Sequence, residues 1–147
     1  MAAIRIPESA ESLLPLCRTS GTAGPHIWET YADMISFVAA YAYGQGELPA
    51  GAPRLMKSGN PIDLGVFRSR GLYPILLTLA IADRRDWLVA KGADEIAAIV
   101  ERYADVGAKL LGYQGGSIDV VGVGERLLSD LHQSSNSSPV PAIGAKI

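Results

Sequence analysis

"EIAAIVERYADVGAKLLGY", residues 95–113, carries the most regular periodicity in the chain, and its reading decides the fold. Ile96, Ile99, Val100, Tyr103, Gly107, Leu110 and Leu111 recur at steps of three and four, which places them on one stripe of an α-helix. Asp94 stands where a helix cap is expected. Glycine inside a helix costs about 1 kcal/mol against alanine. Gly107 on the apolar stripe therefore predicts a close crossing with another helix.

Working back along the chain, "HIWETYADMISFVAAYAYG" (26–44) predicts a second helix. Thr30 and Asp33 have the spacing of a capping box, hydroxyl at the cap and carboxylate three residues on. Tyr31, Met34, Ile35, Val38, Tyr41 and Ala42 share one face, and Gly44 and Gly46 can end the helix. "GLYPILLTLAIADRRDWLVAKG" (71–92) begins with Pro74, which a first turn accepts, and is apolar nearly all round until Asp83. Such a composition predicts a central helix covered by the others. Its apolar run is also too short to span a bilayer, which needs roughly 20 residues.

The connections are shorter or irregular. "IRIP" (4–7) reads as extended, "SAESLLPLCR" (9–18) as a short helix limited by Pro15, and "TSGTAGP" (19–25) as a loop. Residues 45–61 form a long loop, a length that is usually functional or mobile. "PIDLGVF" (61–67) then predicts one helical turn with Ile62, Val66 and Phe67 facing inward. After "YQGGS" (113–117), Asp119 can cap a last helix through Leu127, Leu128 and Leu131. "SSNSSPVPAIGAKI" (134–147) reads as a flexible tail. The fold class expected is all-α: one compact bundle of five or six helices over residues 1–133, with an extended N-terminal segment and a tail at 134–147.

With 147 residues and nearly half of them apolar, the chain can bury a core without staples. One cysteine, Cys17, excludes an internal disulfide, and no secretory signal pattern opens the chain, so the expected location is the cytoplasm. The net charge of −2 is unevenly spread: residues 1–53 carry −3, residues 54–91 carry +4, and residues 92–147 carry −3. A locally basic middle sits in an acidic protein.

Enzyme signatures are sparse. His26 and His132 lie far apart and Cys17 has no second cysteine, so no metal set is expected. "GVGERL" (122–127) lacks the third glycine of a dinucleotide fingerprint and follows no clear strand, and no phosphate-binding loop occurs; no cofactor is expected. The carboxylate pairs Glu29 with Asp33 and Asp83 with Asp86 are close enough for acid–base work, but capping and flanking arginines give each a structural use. The candidate contact residues are Lys57, Arg68, Arg70, Arg84 and Arg85. Converging, they could hold phosphates or an acidic protein surface; dispersed, they would pair with Asp63, Asp83 and Asp86 on a solvated surface. Few aromatic residues interleave with them, which gives base stacking little support.

The order "IRIP", "IWETYADMISFVAAYAYGQG", "GNPIDLGVF", an apolar helix and "IVERYADVGAKLL" resembles the small DNA phosphorothioation-associated proteins encoded beside Dnd-type modification and restriction genes in bacteria. The resemblance spans roughly residues 4–112 and contains no catalytic signature. It implies a bacterial accessory protein linked to DNA modification or anti-phage defence. The expectation is a non-enzymatic adaptor that binds a larger protein of that system, away from any membrane. The alternatives are a DNA-binding helical module using the basic middle, and a small enzyme with a pocket around Glu29, Asp33 and the tyrosines.

Overall fold

The computed structural model describes residues 2–112 and Ser129. The chain is mostly helical. Strand β1 (Ala3–Ile4) leads into a 3-10 helix, Glu8–Leu16, and a further 3-10 turn at Arg18–Ser20. Helix α1 (Tyr31–Gly44) follows, then β2 (Ile62–Asp63), α2 (Leu64–Ser69), α3 (Tyr73–Arg84), a 3-10 turn at Trp87–Lys91, and α4 (Ala93–Gly112). The two strands pair antiparallel, Ala3 opposite Asp63 and Ile4 opposite Ile62.

The centre is the α1–α4 pair. Ile96, Ile99, Val100, Tyr103, Ala104, Ala108 and Leu111 of α4 are buried against Met34, Ile35, Val38, Ala39 and Ala42 of α1. At the crossing, a Cβ on Gly107 would collide with the carbonyl group of Val38. The two backbones therefore touch, with the Gly107 Cα against a carbonyl oxygen in the manner of a weak Cα–H···O contact. Only glycine permits this approach. The close crossing expected from the stripe is present, and α1 is its partner.

Helix α1 starts as its sequence predicts. The Asp33 amide donates to Thr30 Oγ1 at 3.2 Å, and the Thr30 amide donates to Asp33 Oδ2 at 3.0 Å, closing the capping box. Gly44 is its last residue, and Gly46 takes the left-handed conformation just beyond. Arg70, after α2, reaches the same carboxylate: its Nη2 and Nε donate to Asp33 Oδ2 and Oδ1 at 2.7 and 3.2 Å. One aspartate thus caps α1 and ties α2 to it. Burial alone would raise the pKa of Asp33, but the hydrogen bonds from Arg70 and Thr30 outweigh it and hold the carboxyl below its ordinary 3.8.

The N-terminal segment covers the other side of α4. The Arg5 amide donates to Glu101 at 2.7 Å, and Ser9 Oγ donates to Asp105 Oδ1 at 2.6 Å. The later part of the 45–61 loop is held to this segment, since the Glu8 amide donates to the Arg54 carbonyl and the Met56 amide to the Ile6 carbonyl, both at 2.8 Å.

The short helix expected at 9–18 is present as a 3-10 helix, Glu8–Leu16, with Pro15 next to its last residue. Other expectations are corrected. Asp63 caps α2 by accepting from the Gly65 amide at 2.8 Å; Phe67 is buried and Ile62 packs against the core as expected, but Leu64 is the other inward position and Val66 faces out. Asp94 lies inside the first turn of α4, where its charge suits the positive helix end. Helix α3 is not central: Leu76, Leu79 and Ala80 are buried, but Pro74, Ile75 and Thr78 are exposed. The helix expected after Asp119 and the boundary at residue 133 lie outside the described residues.

The crossing and the cap can each be tested by substitution. Gly107→Ala must push α1 and α4 apart and should cost about 3 kcal/mol in urea unfolding. Gly44→Ala, which meets open space at the end of α1, should stay within about 0.5 kcal/mol of wild type. Asp33→Asn should cost about 1 kcal/mol at neutral pH through the weakened cap. Because the folded carboxyl titrates below its unfolded value, its stabilisation is complete above about pH 4 and fades as the pH falls through the folded pKa. Acid unfolding of Asp33→Asn, followed by circular dichroism below pH 4, should therefore be shallower.

Candidate functional site

The five basic residues occupy three places. Lys57 lies beside Glu8 and Glu11, and together with Met56 and Ser58 they line a polar concavity of about 550 Å³. Arg68 and Arg70 stand before α3. The Arg68 guanidinium sits 4.4 Å from the centre of the Tyr73 ring, a cation–π contact, and Arg70 is engaged by Asp33. Arg84 and Arg85 stand at the other end of α3, about 18 Å along the axis of that twelve-residue helix. Arg84 Nε lies 3.0 Å from Glu95 Oε1 and 3.9 Å from Asp83 Oδ2.

Arg85 closes α3 in the left-handed region, φ 53°, with its amide donating to the Ile81 carbonyl at 2.7 Å. It is exposed and forms no ion pair among the described residues. The acids differ from those expected as partners. Asp63 and Asp86 cap short helices, and Asp83 mainly accepts a hydrogen bond from Tyr103, while Asp33 and Glu95 take Arg70 and Arg84.

Between the two arginine-bearing ends lies an apolar groove of about 350 Å³. Ala40 and Tyr43 of α1 form one wall; Pro74, Ile75, Thr78, Leu79 and Ala82 of α3 form the other. Tyr43 and Ile75 remain 45% and 41% exposed, so large apolar area meets solvent here. The walls are braced from below. The Tyr43 ring meets Tyr103 of α4 edge-on at 5.9 Å, and the Tyr103 hydroxyl donates to Asp83 at 2.6 Å. Burial, and then the hydrogen bond to the Asp83 carboxylate, push the Tyr103 phenol up to about 12.

Sequence reasoning missed this groove because it took the apolar circumference of α3 as a sign of complete cover. The available signal was supply. A helix apolar on every side needs neighbours on every side, and the strongest apolar stripes, on α1 and α4, are spent on each other.

Other side chains with chemical capacity have structural occupations. Glu29 is exposed and pairs with Arg18 at 3.5 Å, while Asp33 is bound by Thr30 and Arg70. Cys17 is buried, and burial followed by the nearby Asp33 charge raises its thiol to about 12, which keeps it protonated. Asp105 receives Ser9 and pairs with Lys109 at 3.0 Å, locking the Glu8–Leu16 segment to α4. Among the described residues no group of three or more His, Cys, Asp or Glu could hold a metal ion, and no helix is long and apolar enough to cross a membrane.

No curated protein and no solved structure matches the chain. The family resemblance seen in residues 4–112 does hold, and the match reaches further along the chain. Residues 3–141 match the family model described as DNA sulphur modification system-associated protein 4, and the chain belongs to that family.

Proposed function

We propose that the protein is a non-enzymatic accessory subunit of a bacterial DNA sulphur modification and anti-phage defence system. It acts in the cytoplasm by binding a larger protein of that system, with Lys57, Arg68, Arg70, Arg84 and Arg85 as the polar contacts. The observation that carries this reading is the spread of the cations along α2 and α3 with apolar surface exposed between them. A central apolar patch with charges at its margin is the usual composition of a protein–protein interface. A phosphate-tracking face instead needs several unneutralised cations along one path, and here Arg70 and Arg84 are already paired. The family's association with a modification system supports a partner within that system.

A second reading, direct DNA binding, draws on the exposed charges of Lys57, Arg68 and Arg85. Co-expression of the tagged protein with the larger proteins of the system separates the two. A complex that survives purification is expected. Arg68→Glu with Arg85→Glu should weaken it about tenfold or more through altered charge complementarity. If no complex forms with any of them, the adaptor reading fails. DNA retention that falls steeply with salt and disappears in the Arg84→Glu, Arg85→Glu variant would establish the second reading instead.

A further inference from the structure

We infer that the α1–α3 groove receives a helix of the partner protein, apolar over about three turns and bearing carboxylates at both ends. This rests on the protein-binding reading above and gives it a surface and a chemistry. The walls contain no charged side chain: the charge on α1 is Asp33 at its first turn, and α3 has none before Asp83. Ala40, Thr78 and Ala82 are small, so the groove between Tyr43 and Ile75 can seat side chains projecting at three- and four-residue steps from an incoming helix.

The ends of the groove decide the partner's charge. Arg70 and Arg84 are turned to Asp33 and Glu95 of this chain. Arg68, held over the Tyr73 ring, precedes the first lining residue, Pro74. Arg85 follows Ala82 by three residues, at the left-handed close of α3, and is exposed. An exposed cation stands at each end of α3, a helix about 18 Å long, and the channel between is uncharged, which complements an apolar helix of similar length with acidic ends. A nucleic acid offers no apolar surface to fill the middle.

The groove is also set before any partner arrives. Tyr43 is fixed on Tyr103, Tyr103 on Asp83, and the entry to α3 on Asp33 through Arg70. Binding then pays little for ordering this side.

The test uses the full-length chain and two fluorescent helical peptides, each with three turns of leucine and alanine, one ending in glutamates and its twin in lysines. In fluorescence anisotropy the glutamate peptide should bind about tenfold tighter than the lysine peptide. Ile75→Glu should weaken it by about tenfold or more, and Arg85→Glu should remove most of the preference between the twins. Ile75 is substantially exposed, so the variant should fold, with circular dichroism as the check; Thr78→Arg is the second variant if it does not. Failure of the glutamate peptide to bind, equal binding of the twins, or indifference to both groove variants overturns the inference.

The co-expressed complex gives the independent arm. A complex that Ile75→Glu and Thr78→Arg leave intact overturns the groove but leaves the adaptor reading standing, whereas no complex at all removes that reading. A homodimer dissolved by Ile75→Glu would give the groove to a second copy. Protection of α3 amides in the free monomer that Ile75→Glu abolishes would give it to residues 113–147. Either result overturns the inference.

Discussion

The contact between the Gly107 backbone and the Val38 carbonyl is the constraint on which the rest of the molecule depends. It draws α1 and α4 together until small residues, Ala39 and Ala42 on one helix and Ala104 and Ala108 on the other, fill the space between them. One turn before Gly107, Tyr103 meets Tyr43 edge-on. A helix pair this close has little slack, because interiors are packed at crystal-like density and a single methyl group at the crossing must move backbone. The position of α4 is thereby fixed, and with it the surface on which the N-terminal segment docks through Glu101 and Asp105.

That arrangement exhausts the apolar faces of the two longest helices. The Glu8–Leu16 segment takes a flank of α4, and α3 is left to cover what remains of α1 and α4 with Leu76, Leu79 and Ala80. On its other side Pro74, Ile75 and Thr78 are exposed. The exposed groove is therefore a consequence of how the core closes: each wall is needed for folding on its inner side and is available on its outer side. Tyr43 embodies both, resting on a buried tyrosine while nearly half of its surface meets solvent.

Much of the local structure was legible because local chemistry determines it. The Thr30–Asp33 box, the stop at Gly44 and Gly46, the α4 stripe and the meaning of Gly107 are short-range patterns with one mechanical solution each. What depended on allocation between distant elements was not legible. Periodicity said that α3 was apolar but could not say which neighbours were already occupied. Val66 was misplaced because the cap fell at Asp63, which put Leu64 inward with Phe67. The candidate cations were found by composition, but their partners could not be. Arg70 reaches back thirty-seven positions to Asp33, and Arg84 pairs across a turn to Glu95.

Those pairings change what the basic middle of the chain means. Counted along the sequence, residues 54–91 look like a cationic segment able to meet phosphate. In the fold, two of its arginines are consumed in holding helices together: Arg70 joins α2 to the cap of α1, and Arg84 joins the end of α3 to the start of α4. Exposed pairs of this kind contribute modest stability, yet they remove charge from the external field and fix the helix ends that carry the remaining cations. Arg68 and Arg85 are left exposed because, among the described residues, their neighbours have acidic partners and they do not. Apolar contact between them would supply affinity, while the separated charges would select orientation and reject a basic partner. Excess charge in sequence becomes, after internal pairing, a small number of positioned charges around a neutral groove.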